Sequence, residues 1–199
     1  MARHDIRVGI YPGDGRPLMQ DFRLNAGETF LVGEPVSQNA DGELTESADD
    51  PVDADLLGIA GSDGDTTNAG GLSTLRNRFG QFTDTRVVST GDMIPVVIPD
   101  GLILFRTANF SSGGAAFGDV APAAANVGDE VGLSLIGGSW GVDISATNNI
   151  GRIVDVLETT LGISLQMKTP AATRTSRVVI FSINASQQNS FGTVDAPVA

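Results

Sequence analysis

Acidic side chains cluster in one stretch of the chain, and their types and spacing come nearest to a ligand-binding site. Calcium takes oxygen ligands from acidic and carbonyl groups at alternating positions. The usual helix-loop-helix calcium loop also needs a glycine at its sixth position and a glutamate at its twelfth, and neither is present here. The pattern therefore favours a solvated, turn-rich acidic loop over a cation site, and the residues concerned are Asp49, Asp50, Asp53, Asp55, Asp63, Asp65 and Thr67.

The sequence contains no combination of residues that is typical of a catalytic site. The single histidine, His4, lies close to the N-terminus, which is a poor place for a base held between a nucleophile and an acid. The chain has no cysteine, and neither Ser134 nor Ser139 stands in a G-x-S-x-G motif. The acids would need an aromatic-lined cleft to cleave sugars, yet aromatic content is only 6% with one tryptophan, Trp140, predicted as a core or interface anchor. We therefore predict no enzyme activity, no cofactor and no metal.

Charge narrows the range of partners. The formal net charge is −12, from 12 basic and 24 acidic residues, so phosphate backbones and anionic membrane surfaces are repelled. The N-terminal sequence MARHDIRVGIYPGDG lacks the apolar run of a signal peptide. No stretch approaches the roughly 18 apolar residues of a membrane span. We expect neither nucleic-acid nor membrane partners, and synthesis in a cytoplasm.

The elements that must position these residues are predicted to be β-strands. Hydrophobic content of 41% indicates a globular chain, and 25 glycines scattered among valine, isoleucine and threonine are typical of short strands joined by turns. The β-branched runs between turn signals predict core strands at 94–98, 102–105, 131–135 and 178–183. Residues 150–161 also fit a helical spacing, but their β-branched content favours a strand. The predicted fold class is all-β, as a small barrel or sandwich.

The chain divides into three predicted regions. Residues 1–25 read as an extended N-terminal arm, 26–110 as a first β region, and 111–199 as a second β region packed with the first. Long polar loops are predicted at 62–85 and 111–130. The arm is predicted to contact a partner, although it could instead complete its own sheet as an edge strand. Its predicted partner-binding residues are Ile6, Val8, Ile10, Tyr11, Leu18 and Phe22.

One sequence pattern, which predicts a strand, a turn and a second strand, occurs twice. VGEPVSQNADGEL (32–44) is followed by LLGIA (56–60), and VGDEVGLSLIGGSWGV (127–142) is followed by IGRIV (150–154). Asp41-Gly42 and Gly137-Gly138 supply the hairpin turns. The recurrence is consistent with two related halves and equally with chance, because short internal matches are weak without a sustained period.

The order of the motifs in residues 28–107 resembles the small β-barrel decoration, or cement, proteins of tailed-bacteriophage capsids. The matching pieces are the G-E-x-V strand at 33–36, the ADG turn at 40–42, the LGIA strand at 57–60 and the GDMIPVVIPDG strand pair at 91–101. The resemblance covers about half of the chain. The second half, including GDEVGLSLIGGSWGVDISATNNIGRIVDVLE, departs from it.

The resemblance implies a non-enzymatic virion protein made in the host cytoplasm. Such a protein would form homo-oligomers, most often homotrimers, on the capsid exterior. There it would bind the major capsid protein and stabilise contacts between its subunits. The alternatives are a tail or fibre component and a β-sandwich module that binds carbohydrate.

Overall fold

The computed structural model describes residues 19–64, 66, 73–76, 82–86, 88–113, 116–161 and 174–185. Within these ranges the chain forms thirteen β-strands and one 3-10 turn at Ala124–Asn126, without an α-helix. The predicted all-β class is therefore confirmed.

Five strands form the first sheet, in the spatial order β1-β7-β4-β2-β3 with every neighbouring pair antiparallel. The predicted hairpin at Asp41-Gly42 joins β2 to β3. The Asn39 side chain accepts hydrogen bonds from the backbone N–H groups of Asp41 (3.0 Å) and Glu43 (2.8 Å), and Gly42 has a φ of +79°. The strands are β1 Met19–Arg23, β2 Pro35–Gln38, β3 Leu44–Glu46, β4 Gly58–Ala60 and β7 Met93–Val97.

The prediction of a long polar loop at 62–85 is wrong for residues 73–76 and 82–85, which lie in strands. Strands β5 (Ser73–Arg76) and β6 (Phe82–Arg86) form an antiparallel pair there. The sequence FTDTR contains three residues of high β-propensity, Phe82, Thr83 and Thr85. This local preference prevails over the polar, glycine-rich composition on which the loop prediction depended.

Six strands form the second sheet, in the order β8-β13-β12-β10-β11-β9. The Gly137-Gly138 turn joins β10 to β11, and both glycines have positive φ, as a tight two-residue hairpin requires. Residues 151–161 are strand, so the helical alternative is excluded. The strands are β8 Leu104–Thr107, β9 Phe110–Ser111, β10 Glu130–Ile136, β11 Ser139–Asp143, β12 Gly151–Leu161 and β13 Arg174–Ile183.

The turn at residues 99–101 links the two sheets. The Asp100 carboxylate accepts hydrogen bonds from the N–H groups of Leu102 (2.8 Å) and Ile103 (2.9 Å), and Gly101 has a φ of +80°. The turn itself is as predicted, but β7 and β8 on its two sides belong to different sheets and are not a hairpin pair. The sheets thus divide the chain near residue 100, before the boundary at 110 that we predicted between the two β regions.

The two sheets repeat one strand order. We call residues 19–98 the first unit and residues 104–183 the second unit. The order β1-β7-β4-β2-β3 of the first unit is matched position by position by β8-β13-β12-β10-β11 of the second. The recurrence seen in the sequence is therefore a structural repeat.

The backbone hydrogen bonds follow the same repeat. The Gly33 N–H donates to the Ala60 carbonyl at 2.8 Å, and in the second unit the Gly128 N–H donates to the Ile153 carbonyl at 2.9 Å. Both glycines have positive φ, +88° and +96°, which side chains other than glycine seldom adopt. The repeated Val-Gly therefore marks the same entry into the same hairpin, in a backbone conformation that glycine adopts without strain.

The interiors of the two units correspond as well. Positions matched by strand register carry buried apolar side chains in both, with at most 3% of any side chain exposed. Seven such pairs are Val36 and Val131, Leu44 and Val142, Leu57 and Ile150, Ala60 and Ile153, Ile94 and Val179, Val96 and Phe181, and Ile98 and Ile183.

Both sheets curl until their opposite edges meet. Leu24, directly after β1, forms a parallel bridge with Leu44 of β3 at the far edge. In the second unit β9 follows β8 after two residues, yet it pairs in parallel with β11 at the far edge, Phe110 opposite Val142. The described pairings do not form a continuous closed barrel, but they place each core inside one strongly curved sheet.

Candidate interaction surfaces

The acidic loop of the first unit fastens it to the second. The Asp49 carboxylate accepts the Leu135 N–H at 2.7 Å, and the Asp50 carboxylate accepts the Thr147 N–H at 3.0 Å. One further carboxylate, that of Asp53, accepts the amide of Asn184 at 3.0 Å. These oxygens therefore accept hydrogen bonds from the second unit and from Asn184 directly after it, a role that the acidic composition did not predict.

Asp63 has a similar structural role within the first unit. Its carboxylate accepts the Val32 N–H at 2.8 Å. Asp65 and Thr67, the remaining candidate ligands, lie outside the described residues. Among the residues that are described, no three acidic or histidine side chains converge as a metal ion would require. The acidic stretch is thus not the simple solvated loop that its composition favours, since at least four of its carboxylates hold backbone or amide groups.

Apolar contact adds to these hydrogen bonds between the units. Leu56, Ile59 and Val97 belong to the first unit, but they lie in the same buried cluster as the core of the second unit. Ile59 is fully buried and Val97 is 4% exposed. Because Ala60, Ile94 and Val96 line the interior of the first unit, β4 is buried on both faces, and so is β7 at its Val97 end. Met93, at the other end of β7, is 53% exposed.

Replacing Asp50 by alanine is expected to weaken the junction between the units. Asp50 accepts hydrogen bonds from two backbone N–H groups of the second unit, and it has a φ of +51°. Hydrogen bonds to a charged group contribute about 1.5–3 kcal/mol, so we expect the free energy of unfolding to fall by about 2–3 kcal/mol. Denaturant unfolding measures this loss.

Two variants serve as controls for this prediction. Asp55→Ala removes an exposed aspartate from the same loop and is expected to change stability by less than about 0.5 kcal/mol. Asp50→Gly relieves any strain from the positive φ while still removing the carboxylate. Equal stabilities of Asp50→Ala and Asp55→Ala would contradict a fastening role.

The end of the predicted arm is part of the first sheet. β1 pairs with β7 along its whole length, from Met19 opposite Val97 to Arg23 opposite Met93. Phe22 is half-buried and packs against the core cluster of its own unit. The edge-strand alternative therefore describes the segment from residue 19 onward. Five predicted partner-binding residues, Ile6, Val8, Ile10, Tyr11 and Leu18, lie outside the described residues.

The two serines considered for catalysis lie on neighbouring strands of the second sheet. Ser134 lies in β10 opposite Gly141, and Ser139 begins β11. His4 lies outside the described residues. Trp140 is 1% exposed and packs in the core of the second unit, as predicted, so its indole face is not open for stacking on a ligand.

An open polar recess lies on the second unit. Arg152 and Glu130, two of its lining residues, form an ion pair at 3.8 Å with side chains 62% and 61% exposed, and such an exposed pair contributes little to stability. The Asn149 amide donates to Glu130 at 3.2 Å. The recess has a volume of about 650 Å³ and is lined by Gly128, Asp129, Glu130, Ile144, Ser145, Ala146, Asn149 and Arg152.

Comparison with known proteins adds no information about the fold or about these surfaces. No family model, no curated protein and no solved structure matches the chain. Within the described residues, no helix is long and apolar enough to cross a membrane. The class that the structure defines is an all-β protein in which one curled sheet occurs twice.

Proposed function

We propose that this protein is a structural component of a tailed-phage virion. It binds the exterior of the capsid as a homo-oligomer, most simply a trimer, and stabilises contacts between major capsid protein subunits. The observation that carries the proposal is that the motifs resembling cement proteins occupy one continuous unit. The 33–36, 57–60 and 91–101 motifs supply β2, β4 and β7, which lie side by side in the first sheet.

The character of the surfaces supports a role in contact over one in chemistry. Four carboxylates of the acidic stretch, those of Asp49, Asp50, Asp53 and Asp63, accept hydrogen bonds from backbone or amide groups. The two units share one buried cluster, which suits a rigid body that bridges neighbouring subunits. The proposal includes the absence of enzyme activity. A turnover that a single aspartate substitution between residues 49 and 65 abolishes would contradict it.

The alternative of a carbohydrate-binding module is less well supported. Sugar recognition on β-sandwiches needs exposed aromatic rings, whereas Trp140, Phe30, Phe105, Phe110 and Phe181 are all among the fully buried side chains. A tail or fibre component would use the same fold. Electron microscopy of the assembled particle distinguishes a position on the shell from one on the tail.

Removal of residues 1–18 is expected to separate binding from folding. The described first sheet begins at Met19, so this truncation leaves β1 and its pairing with β7 in place. We expect the truncated protein to unfold at the same denaturant concentration as the full chain, and to bind shells of major capsid protein at least about tenfold more weakly, since an arm adds attachment through effective concentration. Co-sedimentation with assembled shells measures the binding.

Removal of residues 1–25 provides the contrast. This deletion also takes away β1 and the fully buried Leu24, so we expect a large loss of stability in the first unit. Full affinity of the 1–18 truncation would contradict a contact arm. Failure of the intact protein to bind any shell would contradict the proposed function itself.

The proposed oligomer has its own measurement. Closed symmetric assembly is the common rule for soluble homo-oligomers, and the resemblance implies three copies. Light scattering measures the number of chains in the free oligomer, and counting of copies on the particle measures the number of chains in the attached oligomer. We expect the two numbers to be the same. A monomeric mass in both states would contradict this part of the proposal.

A further inference from the structure

The units pack on each other through surfaces that are not equivalent. The first unit uses the outer face of its sheet, where Leu56, Ile59 and Val97 join the buried cluster of the second unit. Strand register identifies the matching positions on the second unit as Asn149, Arg152 and Ser182. At these three positions, an apolar residue in the first unit thus corresponds to a polar residue in the second.

Exposure follows the same division. Leu56, Ile59 and Val97 are at most 4% exposed, whereas Asn149 and Arg152 are exposed and Ser182 is half-buried. The neighbouring pair behaves alike, since Pro35 is buried and its counterpart Glu130 is exposed. The open polar recess of the second unit therefore lies where the first unit has its contact with a neighbour.

The acidic loop between β3 and β4 of the first unit has a shorter counterpart in the second unit. The first unit has residues 47–57 between β3 and β4, and the second unit has only residues 144–150 between β11 and β12. In this alignment Asp49 and Asp50 correspond to Thr147 and Asn148, and residues 51–55 have no counterpart. The carboxylates that accept the N–H groups of Leu135 and Thr147 are thus absent from the second loop.

We propose that the outer face of the second unit is a blocked stacking surface, shaped for another unit of this fold in a second copy of the chain. The occupant follows from the molecule itself, because the equivalent face of the first unit already packs against a unit of this fold. Arg152 and Glu130 block the surface, since burying an exposed ion pair removes both charges from water for a weak mutual attraction. This inference does not rest on the proposed capsid function.

The test replaces the three polar residues on the outer face of the second unit by apolar residues like those at the matching positions of the first unit. The triple variant Asn149→Leu, Arg152→Ile, Ser182→Val is expected to self-associate head to tail. Analytical ultracentrifugation measures the concentration at which assemblies heavier than the native wild-type protein form. We expect this concentration to be at least tenfold lower for the triple variant than for the wild-type chain. A mass that stays at the wild-type value over the same concentration range overturns the proposal.

Two further variants keep the test decisive. Asp41→Val with Asp119→Ile adds apolar side chains at exposed loop positions of the full chain, and it is expected to keep the wild-type mass. Association of this control as tight as that of the triple variant would show general stickiness and overturn the proposal. If the triple variant does not fold, the single variant Arg152→Ile is used in its place. We expect it to self-associate about threefold more tightly than the wild-type chain, and an unchanged association would overturn the proposal.

Discussion

Alanine in place of Gly58 or Gly151 is expected to destabilise the protein by about 3 kcal/mol, and by similar amounts at the two positions. A Cβ atom on Gly58 would lie 2.3 Å from the carbonyl oxygen of Val97, and one on Gly151 would lie 2.2 Å from that of Ser182. Both obstacles are backbone atoms of the adjacent strand, which cannot rotate away. Chemical denaturation monitored by circular dichroism measures both losses.

The control is Gly113→Ala. No atom lies within 4 Å of the position its Cβ would take, and its φ is not in the left-handed region, so we expect stability to change by less than about 0.5 kcal/mol. A loss at Gly58 without one at Gly151 would mean that the two units do not share the same close strand spacing. Losses below 1 kcal/mol at both positions would contradict the packing described.

Arginine in place of Ile59 is expected to have the second large effect. Ile59 is fully buried between the units, and its counterpart in the second unit is Arg152. An uncompensated buried charge costs about 3–5 kcal/mol, a large part of the 5–15 kcal/mol that stabilises a typical domain. We expect the junction to open, with a change in the fluorescence of Trp140, whose side chain belongs to the same cluster.

Ile59→Val is the matched control, because it shortens the side chain without adding charge and is expected to cost about 0.5–1.5 kcal/mol. Arg152→Ile is the reciprocal change, and we expect the isolated chain to tolerate it. If Ile59→Arg unfolds at the same denaturant concentration as Ile59→Val, the contact between the units is not where the buried cluster places it.

Local chemistry was enough to predict much of the fold. Asp41-Gly42, Gly137-Gly138 and the 99–101 turn are short-range signals, and each lies at the turn that its residues indicate. The β-branched runs likewise predicted β7, β10 and β13. The recurrence of Val-Gly before a strand left a repeat and chance both open. The structure decides for a repeat, with a positive φ at Gly33 and Gly128 at the same place in both units.

Long-range pairing was beyond what a single sequence could show. Nothing local distinguishes a turn that joins two strands of one sheet from a turn that connects separate sheets, as at 99–101. The bonding of Asp49 to Leu135 spans 86 residues, so the role of the acids depends on a fold that their spacing does not encode. Phe22 looked like part of a free arm because its partner Ile94 lies far along the chain.

The contiguity of each unit has a consequence for synthesis on the ribosome. All strands of the first sheet come from residues 19–98, so this sheet can form before the second unit has been translated, and domains generally fold in this N-to-C order. Until residues 104–183 emerge, Ile59 and Val97 have nothing to cover them. Nascent chains stalled near residue 130 are therefore expected to expose a transient apolar patch, which should recruit chaperones until translation is complete.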